Sequence, residues 1–133
     1  MTGVQTCALP ILLRVRAFCR RLARPVLSEQ DTARLVLAAD EAMSNIVRHG
    51  GGRGEPVEIV GTPTADKVLV EFRYSGHEFQ PPAHLELPPD SEPPPEGGYG
   101  LYIIDRSADQ VEYYRDGDDN CIRLVVEVRS SDG

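Results

Sequence analysis

The sequence predicts an α+β two-layer sandwich, with helices on one face of a mixed, mostly antiparallel sheet. Three observations carry this. Apolar residues recur at helical spacing through residues 12–49. From residue 56 the period changes to two in a pair of short runs, and it returns to two in a second pair near the end. Between the pairs, seven of the chain's eleven prolines crowd into residues 81–95, a composition that favours extended polyproline conformations over helix or sheet. A chain of 133 residues is long enough for one domain around one core.

The elements follow in order. Residues 1–11, "MTGVQTCALPI", resemble the translation of a common sequencing-library adapter read from a GTG start; they are set aside, and the native gene is expected to extend upstream. The domain is therefore taken as residues 12–133. In "LLRVRAFCRRLA", residues 12–23, Leu12, Val15, Phe18, Cys19 and Leu22 form the apolar face of an amphipathic helix that Pro25 ends. In "LSEQD", Ser28 is a good N-cap, and Glu29 and Asp31 suit the positive end of a second helix. That helix runs to Arg48 or His49, with Leu35, Ala38, Ala39, Ala42, Met43, Ile46 and Val47 on its apolar face, until the glycines of residues 50–54 stop it. Residues 56–62 and 67–74 read as strands joined by the turn "PTAD"; residues 112–128 read as a hairpin around 116–119. The loop at 76–98 has the length and composition of a lid or binding loop. "GGYGLYIIDRSADQ", residues 97–110, is a glycine turn opening a short helix.

Composition narrows the function classes. Net charge is −7, which opposes binding to phosphate backbones, so no direct nucleic-acid contact is expected. No apolar run approaches ~18 residues, so no membrane span is expected. The three cysteines, Cys7, Cys19 and Cys121, lack metal-ligand spacing, and their odd number does not suggest a disulfide framework. A reducing, cytoplasmic location follows as the expectation.

Chemistry concentrates in "EAMSNIVRHGG", residues 41–51. Glu41, Asn45 and His49 stand four residues apart, so on a helix their polar tips form one stripe, with Asp40 adjacent. A carboxylate, an amide oxygen and an imidazole in a row can hold a hard cation and position a proton acceptor. The same spacing also suits a solvated polar face ahead of a glycine stop. "EGGYGL", residues 96–101, feeds a helix N-terminus whose amides can face an anion, and it equally suits a plain loop-to-helix turn. His77 and His84 form no metal set with His49.

Together these segments resemble a family. "DEAMSNIVRHG" resembles the N-box of the GHKL ATPase superfamily, which includes DNA gyrase, MutL and the sensor histidine kinases. "GGYGLYIIDRSADQVEY" resembles its second glycine box in the form found in the small anti-sigma factor serine kinases, and "SGHEFQPP", residues 75–82, resembles the first glycine box. The resemblance spans residues 12–128 and implies the Bergerat fold with ATP and Mg2+ as ligands. It implies that Asn45 coordinates magnesium, that Glu41 activates the attacking hydroxyl or water, and that His49 lies close to the phosphates. It further implies that Gly98 and Gly100 offer amides to the phosphates and that Gly76 turns beside adenine. The implied chemistry is phosphoryl transfer by positioning and charge neutralisation. The implied acceptor is a serine on a STAS-domain anti-anti-sigma protein, and a sigma factor is the second partner, sequestered by a kinase homodimer.

The sequence departs from that pattern at the adenine site. An aspartate that accepts a hydrogen bond from the adenine amino group normally opens the first glycine box; here the position is Tyr74, in "RYSG". Losing such a charge-assisted bond costs about 1.5–3 kcal/mol. The usual Asp before proline is Gln80, and the Gly-Thr pair that often precedes the last strand is Asn120-Cys121. Two alternatives follow: a nucleotide-free protein-binding module of the same fold, or a fragment of a larger phosphatase or sensor regulator.

Overall fold

The computed structural model describes residues 8–50, 56–79 and 98–129, with side chains described over 11–48, 56–79 and 103–129. Helix α1 spans Ala8–Ala23 and α2 spans Glu29–Asn45. Strands β1 (Val57–Pro63) and β2 (Lys67–Ser75) follow, then α3 (Gly98–Ser107), then β3 (Gln110–Asp116) and β4 (Asp119–Glu127). The four strands form one sheet in the order β1-β2-β4-β3, and each of its three ladders is antiparallel. The expected two-layer sandwich is present, and both strand pairs fall where the period-two pattern places them. The proline-rich segment read as a lid lies outside the described residues.

α1 begins at Ala8, four residues before the expected start, and Ile11 and Leu12 both pack against the core. Pro10 is tolerated because the amide it lacks has no intrahelical partner in the first turn. Ser28 caps α2 as expected, its hydroxyl accepting from the Asp31 amide at 3.0 Å. The end of α2 differs from the sequence reading. α-Helical pairing stops at Asn45, where the Ile46 amide is shared between the carbonyls of Ala42 and Met43, and residues Ile46–Gly50 form one π turn.

Period two does the work in the sheet. Val68, Val70, Phe72 and Tyr74 alternate toward the helices along β2 and are all buried. Ile122, Leu124 and Val126 stand beside them on β4, in register with Phe72, Val70 and Val68. Leu35, Ala38, Ala39, Ala42 and Met43 of α2 close the core from the other layer. Small residues along α2 let it lie close to the sheet. Gly61 does the same on β1: a Cβ there would run into the Leu22 and Phe18 side chains of α1. The turn between β3 and β4 has two residues, with Gly117 at φ 64°, the positive φ that the first position of a tight hairpin requires.

The opposite face of the sheet is polar. Glu71 sits at its centre, hydrogen-bonded by the Tyr114 hydroxyl and paired with Arg123 at 3.3 Å. Arg73 reaches Asp116 at 2.8 Å. At the other end of the molecule Arg34 joins Asp31 of α2 to Asp109 before β3, at 3.0 and 2.9 Å, and Asp109 also accepts from the Glu127 amide at 2.7 Å.

Candidate functional site

The stripe on α2 is only partly as the spacing suggests. Glu41 and Asn45 lie one helical turn apart on the same side of α2. Asp40 does not join them. Its carboxylate is gripped from α1 by Arg16, Nε to Oδ1 at 2.8 Å and Nη2 to Oδ2 at 3.1 Å. His49 falls within the π turn. A π turn takes more residues per turn than an α turn, so the step of four from Asn45 to His49 falls short of a full turn. The backbone alone is described there; the His49 side chain lies outside the described residues.

Asn45 is the most informative side chain. It is 4% exposed. Among the described residues its amide forms no hydrogen bond with any other, whereas the other buried polar side chains on α2 and β4, Asp31 and Asn120, are both partnered. The Asn45 amide atoms keep contact with solvent, since among the described residues no buried side-chain nitrogen or oxygen lacks a partner, so the amide can meet a bound cation or polar ligand. Glu41 is half-buried, and its carboxyl is pushed above the ordinary carboxylate value. Burial is the main cause; the neighbouring Asp40 charge adds to it, and Arg48 opposes it. That shift moves a carboxylate toward the range in which it accepts protons well.

Gly98 and Gly100 lie within the first turn of α3, a helix of ten residues that packs along α2. The positive end of α3 thus belongs to the same layer as Asn45. Gly76 follows β2 in a bend, with φ 150°, a value that side-chain-bearing residues rarely adopt. Its carbonyl accepts from Arg115 Nη1 at 2.7 Å, which anchors the bend to β3.

Tyr74, at the position where the pattern calls for a carboxylate, is 4% exposed and part of the core. Burial pushes its hydroxyl above the ordinary tyrosine value. The cavity beside it, lined by Tyr74, Phe79, Tyr113 and Asn120, holds about 150 Å³ among the described residues.

Asn120 and Arg115 are residues that the sequence did not single out as functional. Asn120 Nδ2 donates to the His77 carbonyl at 2.8 Å, and its Oδ1 accepts from the Phe79 amide at 2.9 Å and from Arg115 at 3.1 Å. It therefore holds the segment following Gly76 against the end of the sheet. Phe79 also meets Tyr113, ring centroids 5.6 Å apart. Only the register Tyr74↔Asn120 brings these groups together, and a single sequence does not display register. Among the described residues no cluster of acidic, histidine and cysteine side chains could hold a metal without a further ligand. No helix among them is long and apolar enough to cross a membrane.

A family model for the histidine kinase-like ATPase domain matches residues 8–126. No curated protein matches the chain.

Proposed function

The chain belongs to the histidine kinase-like ATPase domain family, a family of ATP-binding domains, and from that premise we propose that it is an anti-sigma regulatory factor-like protein-serine kinase. In this reading it transfers the γ-phosphoryl group of ATP to a serine of a STAS-domain partner and sequesters a sigma factor. The observation that carries it is Asn45: a side chain 4% exposed whose amide forms no hydrogen bond among the described residues and still meets solvent, one turn after a half-buried carboxyl whose proton affinity is raised. An amide oxygen is a suitable ligand for Mg2+, which when bound neutralises phosphate charge. Glu41 takes the proton of the attacking serine hydroxyl. The amides at Gly98 and Gly100, at the positive end of α3, hold phosphate oxygens. His49 adds a donor near the phosphates. Gly76 lets the chain turn at the adenine end, where Asn120 and Arg115 fix the bend.

One observation favours a second reading. Tyr74 fills the position of the adenine-binding carboxylate and packs into the core. A domain of this kind acts through protein contacts alone, without nucleotide.

Calorimetry of Mg-ATP binding to the full chain separates the two, run beside Asn45→Ala and Tyr74→Asp. Binding by the unmodified chain that Asn45→Ala abolishes supports the kinase, and loss of partner phosphorylation in the same variant follows. Binding only after Tyr74→Asp supports the nucleotide-free module. Partner phosphorylation that survives Asn45→Ala sinks the kinase assignment.

A further inference from the structure

A groove of about 640 Å³ runs between α1 and α2 on their outer side, away from the sheet. Arg16, Arg20 and Arg24 form one wall, and Val36, Leu37 and Ala33 lie along the other. The arginines recur every fourth residue, so they stand in one row about two turns long. Arg16 is held by Asp40 and closes one end. Arg20 and Arg24 are exposed, and among the described residues neither meets a carboxylate. Glu29 is the groove's remaining acidic residue. Leu37 is 46% exposed, an apolar side chain left in water beside unpaired guanidinium groups.

The charge here runs against the rest of the molecule. The chain carries −7 overall, yet five of its fourteen basic residues fall between Arg14 and Arg24, and α1 contains no acidic residue. We propose that this groove docks an acidic amphipathic helix of a protein partner. A third helix fits between two antiparallel ones by seating its side-chain ridges in their groove. Acids spaced by four along its edge face Arg20 and Arg24, and leucine-like residues on its adjoining face cover Leu37 and Val36. The occupant is a helix and not a flat anionic surface, because the site is concave and its apolar wall lies beside the basic one. The remaining surface, acidic on balance, repels an extended polyanion or an anionic membrane. This proposal uses no residue of the Asn45 site and stands or falls separately from nucleotide binding.

The test is fluorescence anisotropy with the full chain and a labelled helical peptide carrying glutamate at every fourth position of one edge and leucine on the adjoining face. The expected result is saturable binding at physiological salt, weakened at least tenfold by the double change Arg20→Glu and Arg24→Glu. Leu37→Gln weakens it several-fold, and a peptide with lysine in place of glutamate binds the doubly changed chain. Circular dichroism checks that these exposed substitutions leave the fold intact. Absence of peptide binding overturns the proposal. So does binding indifferent to the arginine reversal, or binding that a peptide with alanine for leucine reproduces in full. Arginine-dependent binding to phosphatidylserine vesicles with none to the peptide overturns it in favour of a membrane surface.

Discussion

Arg16 on α1 holds Asp40 on α2 by two hydrogen bonds, at 2.8 and 3.1 Å, and so leaves Glu41, the next residue, as the sole carboxylate of the stripe. Asp40 still acts on Glu41 through its charge. Burial first, then Asp40, raise the Glu41 carboxyl above its ordinary value, while Arg48 lowers it. Asp40→Asn is expected to move the Glu41 titration to lower pH, and Arg48→Gln to higher pH. Carboxyl-carbon NMR titration checks both. A Glu41 midpoint indifferent to both changes removes electrostatics as a cause.

The same shift has a consequence for stability. A carboxyl whose folded value is raised favours the folded state below its ordinary value near 4.5, and that advantage is lost as pH rises through the folded value. At pH 7 the ionised Glu41 therefore weighs against folding. Glu41→Gln is expected to raise the thermal midpoint at pH 7, with the gain shrinking toward pH 4. Thermal melts across that range measure it, alongside loss of phosphoryl transfer if Glu41 is the base.

Asp109 behaves in the opposite sense. Burial pushes its carboxyl upward, but the Glu127 amide, Arg34 and Arg129 together outweigh burial and hold it below the ordinary value of 3.8. Its contribution is complete above that ordinary value and disappears as pH falls through the lower, folded value. Asp109→Asn is expected to lower stability at pH 7, with the difference from the unmodified chain closing below about pH 4. Urea unfolding at several acid pH values reads this directly.

Asn120→Ala removes the bonds to His77 and Phe79 and leaves a carbonyl and an amide of that segment unpaired. The expected loss is about 1–3 kcal/mol. Hydrogen exchange at the Phe79 amide is expected to accelerate more than exchange at the centre of β2. Uniform acceleration across the sheet indicates a general packing role instead.

Gly61→Val forces two methyl groups against Leu22 and Phe18, where even a single Cβ obliges the Leu22 side chain to move. Overpacking of this kind costs about 1–3 kcal/mol. Denaturant midpoints for Gly61→Ala and Gly61→Val are expected to fall in that order.

What was legible in the sequence was local. Alternation along 67–74 gave β2 and its buried face because one residue's environment repeats two positions on. The Ser28 cap showed for the same reason. Long-range pairing was hidden. Asp40 stood beside the stripe with no visible partner because its captor, Arg16, lies 24 residues away. Asn120 looked like a mere departure from a motif because its role depends on register with Tyr74. The π turn went unseen since its apolar residues, Ile46 and Val47, also suit an α-helix. Tyr74 was legible as a substitution, but its burial in the core took the structure to see.

Cys19 lies at 0% exposure on the buried face of α1, with its thiol pushed up to about 12 by burial against a lowering effect of Arg20. A thiol both enclosed and protonated is inert to alkylating reagents while the helix stays down. In a chain with Cys7→Ser and Cys121→Ser, its labelling rate becomes a clock for how often α1 lifts from the sheet, readable under native conditions without denaturant. Any ligand gripping the outer side of α1 slows that clock, and one bound elsewhere slows it only by stabilising the whole molecule.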